Sequence, residues 1–545
     1  MIPRLLCPLL LAASLLAQAP PPAQNTAGFP VAGSVVDSPT GQPLPDVHVS
    51  LYPSDDPDSA QRTTTAANGH FSFSAVPAGK YILTGSARGY RSQGYHQHGD
   101  YFIGITVAPN LDSTTIRFPL VPDARIEGRV TDDEGEPIRN TNVALYQRSY
   151  DTGHQHTIVA GNAVTDDRGH YLFSHLGPGI YFVSVSAHPW FAQYSTPTEP
   201  PLAPADAGRV AAERAQLDVA YPMTFYPSAQ DSNSATPIAL HPGERFSADI
   251  SLQALPAVHL RVKPAAGQPP GGVSNFPRVS QRIFEGTVVP VTSSQGSCFG
   301  SAGCEYTGIA PGHYLIEMQD PGAKANPGWF KEMDLSSTVE LNPSEYPPLV
   351  KVRGALAVQG SPRPRGKMYV ILINRASSED FAAEVSPKGT FDFSEMTIRP
   401  GVYDIAINTD PGFRINGLLA NGAKLTGTSL LIAGGNVQLA VTITRALGHV
   451  TGVILHDNQP YAGAMVVLVP SNPSTNLSLF RRDESDSDGT FNLREVLPGT
   501  YSVIAIANGW ELDWANPATL YPYLKNAIPI EISGETNLSI KVPLQ

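Results

Sequence analysis

The 545-residue sequence predicts an all-β protein, a tandem array of about five Greek-key β-sandwich domains behind an export leader. Three observations carry that reading. First, 48 Gly and 51 Pro make up about 18% of the chain, against a usual total near 12%, while charged residues are only 15% against roughly 25%. Second, 21 Tyr, 20 Phe and a hydrophobic content of 41% supply strand-forming residues and enough apolar surface for cores, so the chain is not a disordered tail. Third, the phrase Pro-Gly-x-Tyr followed by alternating apolar residues recurs at the spacing of whole domains rather than of solenoid turns.

In chain order the first element is the leader. Met1-Ile-Pro-Arg4 is followed by an apolar run from Leu5 to Ala17 and by Ala17-Gln18-Ala19, an arrangement of charge, apolar core and small residues that fits a secretory signal peptide. Pro20 hinders a cut directly after Ala19, which moves the expected site into Pro20 to Ala27. Residues 1–27 are therefore read as signal peptide and a short Pro-rich start. No other run reaches the roughly 18 apolar residues of a membrane span. The expectation is an exported protein, periplasmic, cell-surface or secreted. Its formal charge of -12 removes the electrostatic basis for holding nucleic acid or anionic lipid.

The repeated phrase reads Pro77-Ala-Gly-Lys-Tyr81, Pro178-Gly-Ile-Tyr181, Pro311-Gly-His-Tyr314, Pro400-Gly-Val-Tyr403 and Pro498-Gly-Thr-Tyr501. Pro-Gly makes a turn, and the tyrosine opens a strand whose alternate residues face inward. Upstream lies a turn glycine leading into a half-buried strand: Asn68-Gly-His-Phe-Ser-Phe73, Asp167-Arg-Gly-His-Tyr-Leu-Phe173, Lys388-Gly-Thr-Phe-Asp-Phe393 and Asp488-Gly-Thr-Phe-Asn-Leu493. The third repeat keeps only a blurred form around Gly303 to Tyr306. Units also open on a glycine-bearing apolar strand, as in Val31-x-Gly33-x-Val35 and Ile126-x-Gly128-x-Val130. The predicted sandwiches span 28–121, 122–254 with an insertion at about 190–235, 255–347, 348–445 and 446–545. A short surface helix is expected over Ala205 to Leu217 within the insertion.

These phrases resemble the carboxypeptidase regulatory-like domain, a transthyretin-like (prealbumin-like) sandwich that follows the catalytic domain of some metallocarboxypeptidases. The resemblance is good in four units and poor in the third. It implies an exported multi-repeat protein of bacterial type, generally non-catalytic, with a fold grouped among carbohydrate-binding-like sandwiches. It carries over no catalytic residue.

Searching for chemistry gives few strings. His241-Pro-Gly-Glu244 has the short form of a zinc motif but occupies a turn where the fifth unit has Ser533-Gly-Glu-Thr536. No other catalytic pattern is present, so an enzyme is not expected. Glu484, Asp486 and Asp488 alternate before Gly489, which reads either as an acidic exposed turn or as a calcium-binding loop without the helices of an EF-hand. The pairs His96/His98 and His154/His156 are read as polar loop, or as sites for a stray metal. Cys298 and Cys304, the cysteines left once the leader is removed, form either a tight disulfide loop or two free thiols.

An aromatic residue follows each Pro-Gly-x-Tyr strand: Tyr90, Trp190, Trp329, Phe413 and Trp510, with Trp514 close behind the last. Exposed, such rings would stack on sugars, and Trp190, Trp510, Trp514, Trp329 and Tyr90 are the carbohydrate-binding candidates. Buried, they would cap the end of each core. The expected function is non-catalytic binding or scaffolding, with a polysaccharide or other cell-envelope component as partner. A purely structural or adhesive stalk and an accessory module of peptidase or glycan-degrading machinery are the alternatives.

Overall fold

Each unit is built around its opening strand, and the first unit sets the plan. Phe29–Asp37 alternates buried valines with outward residues and lies mid-sheet, antiparallel to His70–Val76 and parallel to Ile116–Leu120. A parallel partner cannot be reached by a hairpin, so the chain crosses to a facing sheet and returns. That facing sheet holds Gln61–Thr64, His48–Pro53, Gly79–Ser86 and Ile105–Val107. Val31, Val49, Phe71, Leu83 and Phe118 fill the space between the sheets.

This is a computed structural model that describes residues 28–193, 215–263, 277–284, 286–291, 295–298, 303–319, 328–360, 363–377, 379–446, 448–534 and 536–545. The predicted leader and most of the helix expected at 205–217 lie outside those residues; 215–217 are helical. The plan recurs four more times. Ala124–Thr131, Val258–Val262, Lys351–Gln359 and Gly448–His456 are the later opening strands. They pair antiparallel with His170–Leu176, Cys304–Ile309, Thr390–Asp392 and Thr490–Val496. Their parallel partners are Arg245–Ser247, Val339–Leu341, Asn436–Arg445 and Asn537–Pro543. The chain is thus a tandem array of β-sandwiches, as the sequence predicts.

Two local devices explain the repeated phrases. In the opening strand, glycine lets the parallel neighbour approach: a Cβ on Gly33 would stand 2.1 Å from the Ile116 carbonyl oxygen, and one on Gly452 2.3 Å from that of Ile540. The third unit places the fully buried Leu260 at this register, opposite Tyr306, where the others set Gly opposite Phe71, Tyr171, Phe391 or Phe491. Its sheet order survives the change, although its sequence signature does not. In the second device, the Pro-Gly-x-Tyr hydroxyl donates to the carbonyl four residues upstream. The distances are 3.0 Å for Tyr81–Pro77, 3.0 Å for Tyr181–Gly177, 2.7 Å for Tyr314–Ala310, 2.8 Å for Tyr403–Arg399 and 3.0 Å for Tyr501–Leu497. Each tyrosine fixes the turn that feeds its own strand, and burial raises its pKa.

The units also pack on one another. Tyr146, Phe182 and Phe225 of the second unit enclose Ile283 and Phe284 of the third. Arg399 of the fourth is buried between Glu379 and the third unit's Glu317. Arg414 pairs with Glu495, and the Thr428 amide donates to the Thr475 carbonyl at 3.0 Å, joining the fourth unit to the fifth. A short helix, Pro517–Leu524, capped by the Asn516 side chain, inserts Leu520 under the outer face of the fifth unit.

Candidate functional site

The five aromatic positions follow corresponding strands but stand in different elements: Trp329 and Phe413 lie in strands, Trp510 in a 3-10 turn, and Trp190 and Tyr90 in connecting segments. Trp190 stands in a turn after Gly179–Ser186, 89% exposed, with Phe191 edge-on at 5.9 Å. Trp329, expected as a sugar platform, is instead 2% exposed and packed in the third core 5.7 Å from the Tyr346 ring. Phe413 is buried in the fourth core. Tyr90 is half-buried and its hydroxyl donates to Asp37 at 3.2 Å, so it serves its own unit. For Trp329 and Tyr90 the open stacking face expected from the sequence is absent, because the ring closes the end of its own sandwich.

Trp510 and Trp514 depart from expectation for another reason. Trp510 is covered by the first unit: His98 lies parallel to it, with centroids 4.8 Å apart and planes 3° apart, and Tyr101 approaches to 5.5 Å. The Arg482 guanidinium sits 4.5 Å from the Tyr101 ring, 5.4 Å from Trp510 and 4.6 Å from Trp514. Trp514 reaches the second unit, donating its Nε1–H to the Tyr150 carbonyl at 2.8 Å. Beside it, the Gln155 amide donates to Asp513 at 2.7 Å and the Ala515 amide to the Gly153 carbonyl at 2.9 Å.

The same interface accounts for the acidic string. The Asp486 carboxylate pairs with Lys80 and accepts the Gly104 amide at 3.2 Å. The buried Glu484 takes His98 Nδ1 at 3.1 Å. Asp488 accepts from the amide and hydroxyl of Thr490. Around them, Lys80 Nζ donates to the Thr490 hydroxyl at 2.8 Å, and the backbones of Thr106 and Ser487 complete the seam through the Ser487 hydroxyl at 2.9 Å and the Gly104 carbonyl at 2.8 Å. The calcium loop considered for Glu484, Asp486 and Asp488 is thereby corrected. These carboxylates are taken up by Lys80 and His98 of another unit and by their own turn. Burial raises the pKa values of Glu484 and Asp486 despite their cationic partners, and neighbouring Asp483 is pushed up to about 6 by burial.

The other flagged residues resolve locally. His96 packs edge-on against Tyr95 at 4.5 Å, and His156 bonds the His154 carbonyl at 3.0 Å and Asp151 at 3.2 Å, so neither His pair converges on one point. The His241 amide donates to Glu244 at 2.8 Å, an ordinary turn closure. Among the described residues no three His, Cys, Asp or Glu group to hold a metal ion. Cys304 is disulfide-bonded, and backbone register sets Cys298 opposite it. A cleft of about 670 Å³ opens between the fourth and fifth units, lined by Gln359, Asn416, Leu418, Arg445, Leu479 and Pro498 among others. No helix among the described residues is long and apolar enough to cross a membrane.

In the sequence the acidic string reads as an exposed turn or a calcium loop, and the Tyr95–Asp100 histidine loop as a polar loop or a metal site, each by itself. What such a reading misses is that they are partners. Their opposite polarity was the available signal; their separation of almost 400 residues hid it.

With this geometry in place, comparison with known proteins finds that the carboxypeptidase regulatory-like domain model matches residues 30–120 and 125–202. No curated protein matches the sequence. Among solved structures the chain is similar to the Bacillus anthracis TIE protein, at 9% identity over 96% of this chain and 74% of that one, with a TM-score of 0.18. It is also similar to the shaft pilin SpaA from Lactobacillus rhamnosus GG, at 10% identity over 42% and 98% with a TM-score of 0.19. A third likeness is GBS52, the minor pilin of Streptococcus agalactiae, at 13% identity over 44% and 100% with a TM-score of 0.19.

Proposed function

From a chain whose first two units are carboxypeptidase regulatory-like domains, we propose a non-catalytic, exported scaffold that binds a glycan at the cell envelope through its second unit. The observation that carries this reading is Trp190. At the position where the other units bury or cover their ring, the second unit leaves a tryptophan 89% exposed beside Phe191. An exposed tryptophan at a position whose counterparts are buried or covered is a recognition feature, and a flat indole suits the C–H face of a sugar. The remaining units serve as the frame that holds this face in place.

The test is tryptophan fluorescence of the mature protein titrated with a panel of soluble polysaccharides, alongside Trp190→Ala. A saturable change lost in the variant supports the reading. A flat response across the panel in the intact protein removes glycan binding and leaves the structural alternative. One observation weighs against that alternative: a spacer sets distance by holding its ends apart, and here the first unit touches the fifth. A stalk built from this chain would have to release that contact first.

A further inference from the structure

The fifth unit contains a socket, and another unit's side chain fills it. The floor of the socket is the Trp510 ring and its end wall the Glu484 carboxylate, with Arg482 and Trp514 at the rim. His98 enters from the first unit. Its ring lies 4.8 Å above the indole at an angle of 3°, and its Nδ1 points at Glu484 Oε1 from 3.1 Å. A stacked face combined with an edge nitrogen on a carboxylate selects a planar nitrogen heterocycle. A lysine there would meet the carboxylate and forfeit the stack; a phenylalanine would stack and leave a buried carboxylate unpaired.

Two further atoms mark the place as a binding site rather than a filled gap. Glu484 Oε2, on a side chain only 1% exposed, is buried without a hydrogen-bond partner, and so is Trp510 Nε1. Buried polar atoms in native structures are nearly always paired. The two side chains that form the socket therefore keep an acceptor and a donor that His98 leaves unused.

We propose that the fifth unit carries a binding site for a planar N–H-bearing ring of the imidazole class, and that the first unit closes on it by presenting His98 as a tethered ligand. Tethering explains how one ring suffices: Lys80, Gly104 and Thr106 hold the two units together along Asp486, Ser487 and Thr490, so His98 meets its socket at high effective concentration. The site is separate from Trp190 and does not depend on glycan binding.

The test uses the full-length mature protein with His98→Gly, which empties the socket, and imidazole itself as probe. Imidazole at millimolar concentration should raise the melting temperature of His98→Gly saturably, by a few degrees, and leave the wild type unmoved. Saturation-transfer NMR should show contact to the imidazole ring protons in that variant alone. Adding Trp510→Ala should abolish both effects, adding Glu484→Gln should weaken imidazole at least tenfold, and butylamine should not substitute. An equal response of all proteins to imidazole, or none in a folded His98→Gly, overturns the proposal. A second measurement needs no empty socket: in the wild type the His98 ring protons should resonate upfield from the Trp510 ring current and return downfield in Trp510→Leu. An unshifted His98 also overturns it.

Discussion

Trp190 and Trp510 occupy the same position after the same strand in two copies of one fold, yet one is bare and the other is sandwiched. Part of the difference lies within the units: Trp510 packs against the cluster of Met465, Val467 and Ile504 in its own unit and beside its own Arg482. Both follow a Pro-Gly-x-Tyr turn whose tyrosine hydroxyl is held at 3.0 Å by the carbonyl four residues back. The rest comes from a third party: the Tyr95–Tyr101 loop of the first unit covers Trp510, and among the described residues only Phe191 makes a ring contact with Trp190. Position in the repeat decides where a ring stands, and packing between units decides whether it meets solvent.

The sharpest way to break the comparison is to remove each ring. Trp510→Ala deletes a ring packed against His98, Tyr101 and Arg482, and should cost about 2–3 kcal/mol of stability. Trp190→Ala should stay within about 0.5 kcal/mol, as surface changes do. Chemical denaturation followed by far-UV circular dichroism reads both, and equal losses would erase the distinction.

A second contrast uses pH. Folding raises the Asp483 pKa to about 6, so the folded chain binds this proton more readily than the unfolded one. The group therefore weakens the fold above about pH 6, and that penalty fades as pH falls toward the ordinary carboxylate range; Glu484 and Asp486 shift in the same direction. Stability should rise by about 1–2 kcal/mol between pH 7.5 and 5, and Asp483→Asn should flatten the rise. Melting curves across that range check it, with Trp190→Ala keeping the wild-type slope.

Smaller effects sharpen what the two units share. Tyr181→Phe and Tyr501→Phe each remove one buried hydroxyl donor and should cost about 1 kcal/mol apiece, nearly equally, in thermal melts. Trp514→Phe keeps most of the ring and loses the Nε1–H bond to Tyr150, a change of about 0.5–1 kcal/mol with no counterpart at Trp190.

The fold was legible because its signals are local. Pro-Gly-x-Tyr, the turn glycine and the glycine of the opening strand are each dictated by contacts inside one sandwich, which is why they recur. The third unit was hard to read where Leu260 replaces that glycine, since the strand pairing tolerates the side chain and the motif does not. The helix Pro517–Leu524 was announced by Asn516-Pro517, a cap followed by a first-turn proline, and went unread among the strands. The candidate site was legible only as a set of positions. Trp329 looked like Trp190 in sequence because the burial of an end-capping ring depends on how far the neighbouring loops fold over it. Glu484 looked like a calcium ligand because an alternating acid string has the same spelling whether an ion or Lys80 and His98 engage it.

The contact between Lys80 and Asp486 joins residues 406 apart, and this orders the assembly of the chain. Each sandwich closes on its own residues and can fold as soon as its last strand has been made. The seam between first and last units cannot form until Glu484 to Trp510 have emerged, so His98 waits uncovered through most of synthesis. The delay costs little in chain entropy: closing a loop of about four hundred residues rather than about one hundred adds only about 1 kcal/mol. Lys80–Asp486, His98–Glu484, a few hydrogen bonds and one stacked ring can therefore act as the closing step of the whole array, and any chain that stops short of Glu484 keeps its earlier sandwiches while losing that closure.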